Sequence, residues 1–284
     1  MKKQYSVILI TCLLFTSTNV MVSGDDSNYY RIQQSKVITV GISMDYPPLH
    51  LHKETHQKTK AYNGRHKGIE IDMAESLGKF LGVKVKFKLL KITEYTRSIE
   101  QNKVDIVMAG MSRNLQRAKD IWFSNPYLTL TPAVIIQTDK LPQTQYGEYF
   151  EEDPFSTIWD LKRLSIVNLS VKQGSTHQSM LKKDFSNAKV TIVKNNAEGL
   201  KTLFEGKVSG FVHDSLYLQY LFNQNPSWKN RYTILKGGTR QEFICVGLPF
   251  GDTVLLQQVN TWISEMKRTG DLEKIIFKHM DRRL

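Results

Sequence analysis

A hydroxyl and a guanidinium follow a short apolar segment in the first half of the chain. The segment is Val104–Met108, and Ser112 and Arg117 come after it, beyond the small residues Ala109 and Gly110. A run of this kind is typical of a strand covered on both faces, and open α/β sheets bind ligands at the carboxyl ends of such strands. A guanidinium offers paired donors that match a carboxylate. The pattern predicts a site for a small carboxylate, and the alternative is that Arg117 only solvates a helix start.

Strand signals alternate with helix signals in both halves of the chain. The expected strands are short apolar segments, at Lys36–Ile42, Val83–Leu89, Val104–Met108, Leu164–Lys172, Ala188–Val193 and Gly210–His213. The expected helices run from about Asp72 to Leu81, over Thr93–Gln101, from Gly174-Ser175-Thr176 to about Lys182, and over Ala197–Glu205. Alternation of this kind predicts largely parallel sheets with crossover helices.

Two extended apolar segments connect the halves and predict a hinge between two lobes. Pro126–Thr138 lies between the halves, and the chain later returns through Glu242–Leu248. The expected organisation is a tether over residues 25–35, lobe 1 over 36–130, lobe 2 over 131–244 and a return to lobe 1 over 245–284.

The amino terminus has the order of a secretory signal peptide. Lys2 and Lys3 precede the apolar stretch Val7–Phe15, and small and polar residues lead to a plausible cut after Gly24, so residues 1–24 are expected to be removed. An uncleaved anchor is the alternative, but the apolar run is well short of the ~20 residues that a spanning helix needs. The formal net charge of +12 would suit a nucleic-acid partner. Because an exported protein rarely meets nucleic acid and the lysines are scattered, no such partner is predicted.

The cysteine and histidine content argues against metals and cofactors. After signal cleavage Cys245 is the only cysteine, so neither an intrachain disulfide nor a thiolate metal site is expected. Four histidines lie in the His/Lys-rich segment His50–Lys67, without a cysteine or a tight carboxylate cluster. A solvated loop is the preferred interpretation of this segment, a metal site the alternative. No metal and no cofactor are predicted.

Several short motifs follow one another in a fixed order through the mature chain. They include Asp45-Tyr46-Pro47-Pro48, Gly68-Ile69-Glu70-Ile71-Asp72-Met73, Phe123-Ser124-Asn125-Pro126-Tyr127, Lys172-Gln173-Gly174-Ser175-Thr176 and Asp214-Ser215. Together they resemble the family 3 extracellular solute-binding proteins, the periplasmic receptors that deliver polar amino acids to ABC importers. The resemblance covers about residues 36–280.

The resemblance implies the fold, location and partners of the chain. The implied fold is α/β and periplasmic-binding-protein-like (type II), with two α/β lobes joined by two hinge crossings. The implied protein is a periplasmic monomer that binds an amino acid between its lobes and delivers it to an ABC permease in the inner membrane.

The resemblance also implies roles for the residues at the predicted strand ends. Arg117 would pair with the ligand α-carboxylate, with help from the Ser112 hydroxyl and the backbone amides around Gly110 and Ser112. Ser175 and Thr176 would favour the same anion from a helix amino terminus. Asp214 would bind the α-ammonium group. The alternatives are that Thr176 and Asp214 are ordinary helix caps.

Recognition of the ligand side chain is implied for Tyr46, Ile92 and Glu70. Tyr46 would form an aromatic wall and Ile92 an apolar one, and Glu70 would approach the distal end of the ligand. Core packing is the alternative for Ile92, and helix capping is the alternative for Glu70. An acidic Glu70 favours a polar or cationic amino acid.

One enzymatic alternative comes from the stretch Gly68–Leu77, which is very similar to that of periplasmic cyclohexadienyl dehydratases. Those enzymes share the fold and eliminate water and carbon dioxide from prephenate or arogenate. Their general acid is a glutamate three residues after the strand-end acid, and here that position is Tyr217. A phenol with a pKa near ~10 is a poor proton donor at neutral pH. The sequence therefore favours a binding protein without catalytic residues, with the dehydratase as the alternative.

Overall fold

The structure is a computed structural model that describes residues 27–43, 46–51, 66–142 and 155–280. The predicted signal peptide, Asp45 and residues 52–65 of the His/Lys-rich segment lie outside this part of the chain. Within it, the chain forms two five-stranded sheets and one two-stranded ribbon, with helices packed against both large sheets. The predicted α/β class with two lobes and two crossings is confirmed.

Strands and helices alternate over most of the described residues. The strands are β1 (Val37–Ser43), β2 (Lys84–Leu90), β3 (Ile106–Val107), β4 (Trp122–Phe123), β5 (Leu128–Leu130), β6 (Pro132–Gln137), β7 (Val167–Lys172), β8 (Ala188–Val193), β9 (Gly210–Asp214), β10 (Tyr232–Lys236), β11 (Glu242–Ile244) and β12 (Gly247–Leu248). The helices are α1 (Asn28–Ser35), α2 (Ile69–Leu81), α3 (Tyr95–Glu100), α4 (Thr176–Asp184), α5 (Asn196–Phe204), α6 (Ser215–Gln224), α7 (Thr253–Arg268) and α8 (Asp271–Met280).

Each large sheet combines parallel strands with one antiparallel strand, which is β12 of the returning chain in lobe 1 and β6 of the first crossing in lobe 2. The sheet of lobe 1 has the order β2-β1-β3-β12-β4, and that of lobe 2 the order β10-β6-β9-β7-β8. In lobe 1 the strands β1, β2 and β3 are parallel, and in lobe 2 the strands β7, β8 and β9 are parallel. The carboxyl ends of these parallel strands are the expected ligand-binding edges of both sheets.

The hinge is the antiparallel ribbon of β5 and β11. Leu130 pairs with Glu242 and Leu128 with Ile244, so both crossings pass between the lobes side by side. Backbone bonds also join the loop after β3 to the β11 segment, from Arg113 N to Phe243 O at 2.9 Å and from Cys245 N to Met111 O at 3.1 Å. These bonds bring β11 to the carboxyl end of β3.

The main hydrophobic core lies around α2, α7 and the lobe 1 sheet and continues into lobe 2. It contains Leu77 of α2 and Trp262 of α7, both almost fully buried, together with Phe211 and Tyr217 of lobe 2. Two smaller clusters fill the remaining faces of the two sheets. Because Tyr46 and Tyr127 belong to the main core, the aromatic side chains near the cleft are held by packing.

Element boundaries differ from the prediction at several positions. Helix α2 begins at Ile69 and not near Asp72. The prediction was wrong because the alternating Ile69 and Ile71 resemble a strand in the sequence, although both are buried on the helix. Strand β3 is shortened to Ile106–Val107, the residues that pair with β1. The segment predicted as a tether contains α1, which Ser27 caps and which buries Ile32.

Candidate functional site

Arg117 lies at the cleft and contacts both lobes. One guanidinium nitrogen, Nη1, donates to the Ser112 carbonyl oxygen at 2.8 Å, and Nη2 donates to the Gly174 carbonyl oxygen of lobe 2 at 3.4 Å. Burial lowers the pKa of the guanidinium, and the negative charge of the neighbouring Glu242 offsets part of this shift. Arg117 nevertheless stays a cation, because the ordinary pKa of a guanidinium lies far above physiological pH. Among the described residues, no carboxylate lies within ion-pairing distance of it.

The hydroxyls predicted to bind a carboxylate donate to the carboxylate of Glu242. Ser112 Oγ lies 3.1 Å from Glu242 Oε2, and Thr176 Oγ1 lies 3.1 Å from Glu242 Oε1. The imidazole nitrogen Nε2 of His177 lies 3.3 Å from the same Oε1, at ion-pair distance. Sequence reasoning missed Glu242. The signal was an acid opening an otherwise apolar crossing strand, at a place where the chain passes the cleft.

The amino terminus of α4 forms the lobe 2 side of this cluster. Its cap is Ser175, whose hydroxyl oxygen accepts from the Gln178 backbone N–H at 3.2 Å and whose O–H donates to Lys172 O at 2.7 Å. Thr176 is the first helical residue, so its hydroxyl is not the cap and points to Glu242. The alternative that Thr176 caps the helix is therefore wrong.

Asp214 lies at the carboxyl end of β9 and caps α6. Its Oδ1 accepts from the Tyr217 backbone N–H at 2.9 Å, and its Oδ2 accepts from the Tyr46 hydroxyl and lies 2.7 Å from His213 Nδ1. Burial alone would raise the pKa of Asp214, but the adjacent imidazole and these hydrogen bonds lower it to about 2. Asp214 is thus a carboxylate at any physiological pH, and it also caps α6.

The aromatic wall over Asp214 consists of Tyr46, His213 and Tyr217. The ring centroids of His213 and Tyr217 lie 4.1 Å apart, and Tyr46 meets His213 edge-on at 4.9 Å. Gly110 faces the Tyr46 ring with a φ of 61°, and a Cβ at this position would collide with that ring. A glycine is therefore required for the close approach of the β3 loop to Tyr46.

Glu70 lies behind this loop, at the start of α2. Its Oε1 accepts from the Gly110 backbone N–H at 2.6 Å and from the Tyr127 hydroxyl. Its Oε2 is buried and has no hydrogen-bond partner among the described residues. Burial raises the pKa of Glu70 from the ordinary 4.5 to about 7. Because Glu70 takes the Gly110 amide, that amide does not point to the cleft.

The cleft has a small inner cavity and a larger outer pocket, joined at the same residues. The inner cavity has a volume of about 30 Å³. Its lining is Tyr46, Ile92, Tyr95, Ala109, Gly110, Ser112, Arg117, Lys172, Ser175, Thr176, His177 and His213. The outer pocket has a volume of about 450 Å³ and shares Ser112, Arg117, Ser175 and Thr176 with it.

The inner cavity brings together most of the residues singled out in the sequence. Seven predicted site residues line it: Tyr46, Ile92, Gly110, Ser112, Arg117, Ser175 and Thr176. Asp214 and Glu70 do not, because Tyr46 covers the first and the Gly110 loop covers the second. Lys172, His177 and His213 were not predicted. Lys172 ends β7 and His213 is the last but one residue of β9, so a search of strand ends would have found both, whereas His177 is the second residue of α4.

Metal-binding clusters and membrane-spanning helices are both missing from the described residues. These residues contain no group of three or more His, Cys, Asp or Glu side chains arranged to hold a metal ion. None of their helices combines the length and apolarity of a membrane span.

Comparison with known proteins gives relatives with two kinds of activity. The chain is 24% identical to the cyclohexadienyl dehydratase of Pseudomonas aeruginosa, over 75% of this chain and 72% of that one. It is 22% identical to the ABC transporter arginine-binding protein 1 of Escherichia coli K12, over 84% of this chain and 88% of that one.

The name of one solved structure with the same fold mentions both amino-acid binding and the dehydratase. It is the ancestral amino acid-binding protein AncCDT-1, a precursor of cyclohexadienyl dehydratase, with a TM-score of 0.72 and 27% identity over 90% of this chain and 100% of that one. Residues 38–282 match the model of one protein family. The chain therefore belongs to the bacterial extracellular solute-binding proteins, family 3, as its motifs predicted.

Proposed function

We propose that this chain captures an amino acid between its two lobes and delivers it to an ABC importer. The observation that carries the proposal is the arrangement of charge across one cleft. Arg117 of lobe 1 is a cation with no carboxylate at ion-pairing distance in the described part of the chain, and Asp214 of lobe 2 is a carboxylate held ionised. An α-amino acid brings a carboxylate for the first and an ammonium group for the second. The binding-protein names of several relatives support this assignment.

Capture requires the lobes to move apart and close again. The inner cavity of about 30 Å³ has room for little more than water, so an amino acid enters only when the lobes separate. Arg117 already reaches Gly174 across the cleft, and a ligand held from both sides would favour the shut form. The shut form is then the state that a permease recognises.

The ligand that fits best is a polar or cationic amino acid. Relatives whose names specify arginine or glutamine support this choice.

The location and partners follow from the same proposal. Residues 1–24 would direct export to the periplasm and be removed there, and the mature chain would work as a monomer with a permease of the inner membrane. No nucleic acid and no cofactor enter this function. The lobe limits at residues 130 and 244 belong to the proposal as well.

Thermal-shift screening with the common amino acids tests the proposal. A specific ligand raises the melting temperature by mass action, and calorimetry then gives its affinity. The matched variants are Arg117→Ala, which removes the cation, and Arg117→Lys, which keeps the charge but not the paired donors. A screen in which no amino acid shifts the wild-type melting temperature would contradict the proposal.

A dehydratase is the second candidate, because of the relative from Pseudomonas aeruginosa and the precursor structure. Tyr217 stands at the position of the general acid, but it packs on His213 and does not line the inner cavity. We expect no aromatic product from prephenate. Turnover that is lost in Tyr217→Phe would establish this enzyme and displace the binding-only proposal.

A further inference from the structure

The carboxylate of Glu242 joins both lobes and the hinge. It belongs to β11, one of the two crossings, and accepts hydrogen bonds from Ser112 of lobe 1 and Thr176 of lobe 2. His177 of lobe 2 adds an imidazole nitrogen at 3.3 Å. The Glu242 side chain is 12% exposed, so it is mostly shielded from water. These contacts hold the two sides of the cleft to a single carboxylate.

A ligand carboxylate would need the same donors. The proposed site pairs it with Arg117, Ser112 and Thr176, but a hydroxyl has only one hydrogen to donate. A hydroxyl that donates to Glu242 therefore cannot donate to the ligand at the same time. The two carboxylates would also repel each other at this short distance. Glu242 and the ligand carboxylate thus exclude each other from the hydroxyl pair.

The outer pocket gives the displaced side chain a place to go. Glu242 lines this pocket of about 450 Å³ together with Arg113, Lys183 and Arg240. Arg240 is paired with Asp184, whereas Arg113 and Lys183 have no carboxylate within ion-pairing distance among residues 27–43, 46–51, 66–142 and 155–280. A carboxylate that leaves the hydroxyls enters a pocket of positive charge.

We propose that Glu242 is a specificity-determining residue that occupies the ligand-carboxylate position and is exchanged for the ligand. This inference rests on the proposed capture of an amino acid. Before binding, Glu242 holds Ser112 and Thr176 together and keeps the lobes near each other. On binding, the ligand carboxylate takes both hydroxyls and Glu242 moves toward Arg113. The exchange lowers affinity and restricts tight binding to ligands whose carboxylate replaces that of Glu242.

The first test needs no ligand and uses the mature chain with spin labels on the two lobes. Lys79→Cys on α2 and Lys189→Cys on β8 are exposed labelling sites, and Cys245 is buried. Double electron–electron resonance should give a longer mean distance and a broader distance distribution between the lobes in Glu242→Ala than in the parent. Glu242→Gln should give values between the two. Glu75→Gln, an exposed carboxylate of α2, is the control for net charge and should match the parent. Equal distances in all four proteins would overturn the proposal.

The second test measures the exchange itself by calorimetry with L-arginine, or with the amino acid that gives the largest thermal shift. Glu242→Gln should bind it about tenfold more tightly than wild type, the size of one charge-assisted hydrogen bond, while Glu75→Gln should not differ. Unchanged or weaker binding in Glu242→Gln would overturn the proposal. If no amino acid binds the wild type, the proposed function fails instead, and the interlobe distances still decide whether Glu242 holds the lobes.

Discussion

The two ends of the cleft differ in how firmly the protein's own groups occupy them. At the end proposed to bind the ligand ammonium group, the ammonium end, Asp214 is 1% exposed and bound by Tyr46, His213 and the Tyr217 amide. At the end proposed to bind the ligand carboxylate, the carboxylate end, Glu242 is 12% exposed and borders the outer pocket. The ligand ammonium group would reach Asp214 only if the Tyr46 hydroxyl moved aside, whereas Glu242 borders the outer pocket and can be displaced into it. We therefore expect ligand selection to depend mainly on the carboxylate end.

Arg117→Ala breaks the carboxylate end and should have the largest effect. It removes the cation that the ligand carboxylate would meet, so affinity should fall by about a hundredfold or more, as for a buried charge-assisted pair. Calorimetry with the amino acid found by screening measures the loss, and Arg117→Lys should recover part of it. Unchanged affinity in both variants would remove Arg117 from the site.

Asp214→Asn breaks the ammonium end with a smaller loss. Asparagine is as good a helix cap as aspartate, so α6 is kept while the negative charge is lost. We expect affinity to fall by about tenfold or more, with unchanged helical circular dichroism. If the variant binds as tightly as wild type, Asp214 is a structural cap and not the ammonium receptor.

Gly110→Ala tests the packing of the β3 loop against Tyr46, which belongs to the aromatic wall over Asp214. The new methyl group would meet the Tyr46 ring, on a backbone with a φ of 61°. Strain and overpacking should lower the free energy of unfolding by about 2–4 kcal/mol. Gly82→Ala is the matched control, because its φ of 68° is similar but nothing lies within 4 Å, and it should cost about 1 kcal/mol. Equal losses in urea unfolding would show that the Tyr46 contact is not tight.

Glu70→Gln tests the buried acid behind the carboxylate end. The folded protein holds the Glu70 proton more tightly than the unfolded chain, because burial raises its pKa to about 7. The free energy of unfolding therefore falls by about 1.4 kcal/mol for each pH unit between the unfolded and the folded pKa. The variant lacks this loss, so its stability relative to wild type should increase between about pH 4.5 and about pH 7. Urea unfolding at a series of pH values measures the difference, and one that stays constant with pH would contradict the raised pKa.

The fold could be predicted from local patterns, and the site only in part. The short apolar strands and the motifs around Arg117 and Asp214 are local features, so they indicated the sheets and the strand-end residues. Glu242 could not be found in this way, because its contacts with Ser112 and Thr176 join residues far apart in the sequence. Glu70 was expected at the ligand, but the backbone amide of Gly110 and the Tyr127 hydroxyl hold it behind the loop.

The most direct test of the central claim compares the amino acid with its methyl ester in wild type and Arg117→Ala. If Arg117 binds the ligand carboxylate, the ester should bind wild type about as weakly as the free amino acid binds Arg117→Ala. The mutation should then have little further effect on the ester. A mutation that weakens amino acid and ester by the same factor would contradict the pairing of Arg117 with the ligand carboxylate.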